Sequence, residues 1–99
     1  MDQNGAMKEL PKYKSHKEVW ALKIELIEFD SDKAKKENRE TDGSALLFFE
    51  NYDYAPIEVD YNYIKKHNPQ PGGYYVIYED GYKSWSPAEA FEKGYSLIE

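Results

Sequence analysis

The sequence predicts an α+β domain: a mostly antiparallel sheet of four or five strands with one or two short helices, ending in a β-hairpin followed by a helix. Three stretches carry this prediction. Residues 18–29 alternate between apolar and polar or small side chains, residues 44–50 contain a short continuous apolar run, and residues 72–95 have the composition of a hairpin that leads into a helix.

The first strand is predicted from its alternation. Apolar residues occupy every second position from Trp20 to Leu26, which is the period of a half-buried strand. After Leu26 the phase slips, because Ile27 and Phe29 are apolar and Glu28 is not. A β-bulge or a bend near Leu26 would explain the slip. A helix is the alternative, since these residues also have fair helix propensity, but the alternation favours a strand.

The next segment is charged and lacks an apolar stripe. Asp30-Ser31-Asp32 is a suitable start for a short helix over residues 33–36, and Asp42-Gly43 marks a turn. We therefore expect residues 31–42 to form a mobile charged excursion between the first two strands. The spacing of these acids is not that of an EF-hand, so a calcium loop of that type is not expected.

The middle of the chain predicts two strands and a helix. Residues 45–49 are apolar throughout, which indicates a buried strand, and Ile57–Val59 indicates a second, shorter one after a turn-rich loop. Asp60 is a suitable N-cap for a helix over residues 61–67, whose basic residues lie at its C-terminal end, as the helix dipole favours. Pro69 ends it.

The C-terminal hairpin and helix have specific local signals. Asp80-Gly81 predicts a two-residue type I′ turn, which would place Tyr78 opposite Lys83. The sequence Ser86-Pro87-Ala88-Glu89 has the pattern of a capping box, with Ser86 as N-cap, and Gly94 is a suitable residue to follow the helix.

Length and composition indicate one domain. Of the 99 residues, we expect residues 1–16 to be a flexible N-terminal arm and residues 17–99 to be a single α+β domain. Cysteine does not occur, the first residues are too polar for a signal peptide, and no apolar run reaches the roughly 20 residues that a membrane span needs. We therefore expect a soluble protein without a membrane partner.

Catalytic and metal-binding patterns are not found. The two histidines do not have ligand spacing, which predicts no metal, and Gly72-Gly73 precedes a strand instead of opening a phosphate-binding helix. Ser84 and Ser86 lie outside any nucleophile-elbow pattern. We expect a protein that is not an enzyme and carries no cofactor.

Charge and tyrosine content indicate a binding surface. The formal net charge is −6, and no basic residue occurs between Arg39 and Lys65, which opposes direct nucleic-acid binding. The acids are either a solvated surface or a patch that meets a basic protein. Likewise, the 10 tyrosines are either cross-strand and core-rim residues or a recognition surface. The candidate binding residues are Glu50, Tyr52, Asp53, Tyr54, Glu58, Asp60, Tyr61, Tyr63, Tyr82 and Trp85.

Three parts of the chain carry a resemblance: residues 18–24, residues 69–78, and Ser86-Pro87 with Phe91 and Tyr95. They resemble small uncharacterised proteins of tailed bacteriophages and prophages, which have a Val-x-Ala start, a Pro-Gly-Asp-Tyr strand and a Phe-Glu-x-x-Tyr ending. Gly73 stands where those proteins carry the Asp. The resemblance covers residues 17–98 and implies a phage accessory protein in the cytoplasm of a bacterial host, with no implied activity.

These observations lead to one main functional interpretation and two alternatives. The main one is non-enzymatic binding of a host protein, as an inhibitor of a nucleic-acid-binding or defence enzyme, through the acidic, tyrosine-rich face. The first alternative is a minor phage structural or assembly protein that self-associates through an exposed sheet edge, with oligomer formation. The second is a small-ligand binder, for example of nucleotides, with an aromatic pocket.

Overall fold

The computed structural model describes residues 18–95 and confirms the α+β prediction with one antiparallel sheet of five strands. In chain order the elements are β1 (Val19–Phe29), α1 (Asp30–Lys36), β2 (Ala45–Phe49), β3 (Ile57–Val59), α2 (Tyr61–His67), β4 (Tyr74–Tyr78), β5 (Lys83–Ser86) and α3 (Ala88–Gly94). The strand order is β3-β2-β1-β4-β5. The predicted arm over residues 1–16 lies outside the described residues.

Strand β1 is shared by both halves of the sheet. Its first half, Val19 to Lys23, pairs with β4, and its second half, Ile24 to Phe29, pairs with β2. The register shifts between Ile24 and Leu26, which leaves Glu25 as the extra residue of a bulge and confirms the predicted irregularity. A bulge bends its strand, so the sheet curls around β1. The strand order, with α2 between β3 and β4, is similar to that of a partly open OB-type barrel.

The core lies on the inner face of the curled sheet. Ile24, Leu47, Phe49 and Tyr75 are buried there, and Tyr63 of α2 packs on Tyr75 with ring centroids 6.0 Å apart. Further partly buried residues, among them Leu22, Ile27, Ile57, Ile64, Ile77 and Trp85, pack against this cluster. Helix α2 thus closes the inner face.

The position of α2 is set by a local capping interaction that the sequence predicts. The Asp60 side chain accepts a hydrogen bond from the Tyr63 backbone N–H at 2.9 Å, which confirms it as the N-cap. The Tyr63 hydroxyl donates to the Ser84 carbonyl of β5 at 2.7 Å. The helix is therefore held at its start by Asp60 and to the opposite edge strand by Tyr63.

Among the described residues, α3 covers one half of the outer face. Phe91 stacks on Tyr74 with centroids 4.2 Å apart, and the Tyr74 hydroxyl donates to the Glu92 carboxylate at 2.8 Å. Lys23 lies 3.5 Å from the same carboxylate. These contacts place α3 over the β1–β4 half of the outer face.

The start of α3 differs from the predicted capping box. Pro87 occupies the N-cap position with no side-chain cap hydrogen bond, and the Ser86 hydroxyl donates to the Pro87 carbonyl at 3.2 Å. Ser86 is the last residue of β5 and pairs with Tyr74. Because its backbone belongs to the sheet, its hydroxyl does not reach the free N–H groups of the helix.

The hairpin between β4 and β5 exists as predicted, but with a loop one residue longer. Gly81 N–H donates to the Tyr78 carbonyl at 2.8 Å, and Tyr78 N–H donates to the Tyr82 carbonyl at 2.9 Å. Gly81 alone of the loop residues has positive φ, at 89°, so the turn is type I followed by a left-handed glycine. Asp80 accepts from Tyr82 N–H at 3.0 Å, which favours this turn over type I′. Lys83 therefore pairs with Ile77 and not with Tyr78.

The charged segment after β1 contacts the domain at two points. Ala34 of α1 is buried, with 2% of its surface exposed. Arg39 donates to the Asp30 carboxylate at 2.9 Å, and the Thr41 hydroxyl donates to the same carboxylate at 2.9 Å. The Arg39 guanidinium, followed by Thr41, holds the pKa of Asp30 well below its usual range. The mobility of residues 31–42 stays a prediction.

Candidate functional site

The structure places the predicted binding residues in the core, in the loop after β2 with the neighbouring strands, and in and around α2. Two of the ten belong to the core region and leave the candidate surface. Tyr63 has only 8% of its surface exposed, and burial is the main cause that raises its pKa. Trp85 lies opposite Tyr75 in the sheet and is half-buried against the core cluster. Both side chains face inward because of their positions on α2 and β5. Amino-acid composition alone does not reveal these positions.

The loop after β2 carries four of the remaining residues, Glu50, Tyr52, Asp53 and Tyr54, and all four are exposed. Tyr52 has 80% of its surface exposed, and its hydroxyl lies 3.0 Å from both carboxylate oxygens of Glu25, the bulge residue of β1. This hydrogen bond raises the pKa of Tyr52, with a further contribution from Glu50. Tyr52 is therefore presented to solvent in a defined place beside the bulge.

Next to the bulge, the uncovered half of the outer face has an apolar centre. Leu26, with 53% of its surface exposed, lies directly opposite Phe48, and both alternate with residues of the buried inner face. Leu46 pairs with Glu28 on one side and with Glu58 on the other. We call this set the outer β1–β2 surface: Leu26, Glu28, Leu46, Phe48 and Glu58, with Glu50 and Tyr52 from the adjoining loop.

Of this surface, sequence reasoning identified Glu50, Tyr52 and Glu58 and missed Leu26, Glu28, Leu46 and Phe48. The signal was present in the uninterrupted apolar run of β2. In a strand, such a run puts apolar side chains on both faces, so either a second layer or a partner covers the outer one.

The remaining tyrosines lie beside basic residues. The Lys66 ammonium is 4.9 Å from the centroid of the Tyr82 ring, and Lys65 is 6.0 Å from that of Tyr61. His67 lies between the rings of Tyr63 and Tyr82, and burial lowers its pKa, with Lys66 adding to the effect. We call Tyr61, Lys65, Lys66, His67 and Tyr82 the α2 cluster. The predicted single acidic, tyrosine-rich face is therefore two surfaces of different chemistry.

Asp60 does not present a free carboxylate on either surface, because its carboxylate caps α2. It lines a depression of about 330 Å³ together with Lys66, His67, Tyr82 and Lys83. This depression is where an aromatic small-ligand pocket of the kind expected from the sequence would lie.

Two further findings concern the described residues, 18–95. They contain no group of three or more His, Asp or Glu side chains that could hold a metal ion. In the same part of the chain, no helix is long and apolar enough to cross a membrane.

No protein-family model and no curated protein matches the chain. Among solved structures, it is similar to the monomeric form of the phage L decoration protein, determined in solution by NMR. The two chains are 27% identical with a TM-score of 0.55, and the match covers 79% of this chain. It covers 50% of the decoration protein, so the likeness extends over half of that protein's length.

Proposed function

We propose that this chain is a phage structural protein of the decoration type, which binds to the surface of an assembled phage particle. The observation that carries the proposal is the likeness to the phage L decoration protein, at 27% identity over 79% of this chain. The resemblance of residues 17–98 to proteins of tailed phages supports a phage origin. In this proposal the role is non-enzymatic, and the protein is made in the bacterial cytoplasm before it joins the particle.

The exposed side chains support a protein surface as the partner. OB-type barrels use the β2–β3 face to bind oligonucleotides, and that binding depends on basic groups and stacking aromatics. Here the corresponding outer face carries Glu28 and Glu58 around Leu46. An apolar centre with acidic neighbours fits a protein with basic groups better than a phosphate backbone.

The test is co-sedimentation with particles. Particles from a lysate of the phage or induced prophage that encodes the chain are separated on a density gradient and probed with an antibody against it. We expect the protein in the particle fraction, and purified protein added to particles that lack it should bind until a fixed number of copies per particle is reached. Recovery only among the free proteins would overturn the proposal.

The host-protein inhibitor remains the second candidate, because the exposed acidic loop with Tyr52 and Tyr54 suits a basic host protein equally well. The two candidates separate in an affinity pulldown from infected cells after particles are removed by ultracentrifugation. One stoichiometric host protein in the cleared lysate, together with absence from the particle fraction, would favour the inhibitor.

A further inference from the structure

We infer that the outer β1–β2 surface is the docking site, and that its partner is a protein surface with an apolar centre and basic side chains around it. This inference rests on the proposed function and specifies which face of the chain meets the particle. According to this inference, the α2 cluster, which includes Tyr61 and Tyr82, does not contact the partner.

Within residues 18–95, the outer face of the sheet is covered on one half only. Helix α3 occupies the β1–β4 half through Phe91 and Glu92. On the β1–β2 half, Leu26 keeps 53% of its surface exposed beside Phe48. A leucine and a phenylalanine that lie opposite each other on paired strands form an apolar anchor, the kind of centre that holds most of the energy in interfaces.

The charged side chains around this apolar centre are mostly acidic. Glu28 and Glu58 flank Leu46, and Glu25 and Glu50 lie at the bulge end. Lys33 of α1 lines the same depression as Glu28 and Glu58, while Lys23 is engaged by Glu92. Among the described residues, acids therefore dominate the surroundings of the anchor, and basic side chains on the partner would meet them.

The same charges disfavour a second copy of the chain as occupant. In a two-fold symmetric contact the same patch meets itself, so the four glutamates would face one another. Like charges brought together at an interface oppose association. The occupant is therefore a different protein, and in the proposed function it is a protein of the phage particle.

The particle-binding test compares the wild type with two variants of the outer β1–β2 surface and with one control variant, all as the full chain. Leu26→Ala removes the exposed anchor and should weaken binding about tenfold or more, mainly through faster dissociation. The combined variant Glu28→Gln, Glu50→Gln, Glu58→Gln should slow association and flatten its dependence on salt.

The matched control is Trp20→Ala, because Trp20 is also on β1 with 63% of its surface exposed but has Ile77 opposite it, on the inner side. It should bind as the wild type does. If the wild type binds particles and both outer-surface variants bind equally well, the inference is overturned while the proposed function stands.

A second experiment does not depend on particles. The isotope-labelled full chain is titrated with a peptide of alternating Lys and Leu, and in parallel with one of alternating Glu and Leu. We expect amide shifts centred on residues 26–28 and 46–48 with the Lys peptide only, and their loss at about 0.5 M salt. Shifts centred on the α2 cluster, or equal shifts with the Glu peptide, would overturn the inference. The expected map without particle binding would overturn the proposed function, and with it the assignment of the partner to the particle, while the docking face and the basic, apolar chemistry of its partner would stand.

Two other occupants are tested with the same protein. Sedimentation velocity of the wild type and of Leu26→Ala tests whether a second copy of the chain is the occupant. A wild-type oligomer that dissociates in Leu26→Ala would overturn the choice of partner. Residues 1–16, the predicted arm, carry three lysines, at positions 8, 12 and 14. If their deletion moves the amide signals of Leu26 and Phe48, the occupant is this chain's own arm, which also overturns it.

Discussion

Gly73 is expected to tolerate no side chain, because the indole of Trp85 lies against it. A β-carbon built on Gly73 would be 2.5 Å from both Cε2 and Nε1 of Trp85. Carbon atoms in contact are normally about 3.5–4.0 Å apart, so the indole would have to move by roughly 1 Å. Trp85 Nε1 is buried without a hydrogen-bond partner among the described residues, which indicates that packing places the ring.

The substitution Gly73→Ala therefore has an expected sign as well as a magnitude. Gly73 is not among the residues with positive φ, so its backbone suits alanine. At such a site Gly→Ala alone stabilises by about 0.4–1 kcal/mol, through the unfolded state. Overpacking against Trp85 costs about 1–3 kcal/mol, so a net loss of stability is expected. For a domain of this size each kcal/mol lowers Tm by roughly 4–8 °C.

The assay is a double-mutant cycle in urea or thermal unfolding. In a Trp85→Leu background the indole is gone, and Gly73→Ala should become neutral or stabilising, with a coupling free energy of about 1–3 kcal/mol. Gly72→Ala is the control, since a β-carbon there meets nothing within 4 Å but the backbone has φ of 91°. It should cost stability equally in both backgrounds. An unchanged Tm in Gly73→Ala, or the same loss with and without Trp85, would refute the reasoning.

Three further outcomes are expected. Gly81→Val should cost about 1–3 kcal/mol in thermal unfolding, because a β-branched residue is strained at φ of 89°; an unchanged Tm would contradict the assigned turn. Replacing residues 31–42 by a short Gly-Ser linker should keep dispersed amide signals but lower Tm, because the contact of buried Ala34 is lost; collapse of the spectrum would show that the segment is part of the core. Burial, with the hydrogen bond to Glu92, raises the pKa of Tyr74 to about 12, above its value of about 10 in the unfolded chain. Stability from this group is thus complete below pH 10 and is lost as the pH rises through 12, so Tyr74→Phe should flatten the unfolding free energy over that range; equal slopes would refute it.

The structure changes how the tyrosines are interpreted. Tyr52 donates its hydrogen bond to a glutamate, while Tyr61 and Tyr82 lie beside lysines. Composition places all of them in one aromatic set, but their neighbours in space come from β1 in the first case and from α2 in the second. The two surfaces therefore differ in the charge of the partner that they suit.

Local signals in the sequence were sufficient for the elements themselves. The alternation in β1 and its slip at the bulge, the apolar run of β2 and the Asp60 cap of α2 depend on residues within a few positions of one another, so the sequence determines them directly. The α+β class follows from the same evidence. The hairpin also exists, because Gly81 supplies the positive φ that its turn requires, but the turn is not the predicted type I′.

Only the tertiary structure decided what each face of these elements meets. The pairing of both halves of β1, the inward position of Tyr63 and Trp85, and the contact of Trp85 with Gly73 join residues from distant parts of the chain. Ser86 shows the limit clearly: its local pattern favours a helix cap, but pairing with Tyr74 holds its backbone in the sheet. The apolar side chains of β2 are alike in sequence, and the curl of the sheet around Glu25 determines that Leu47 is enclosed while Phe48 faces outward beside the exposed Leu26.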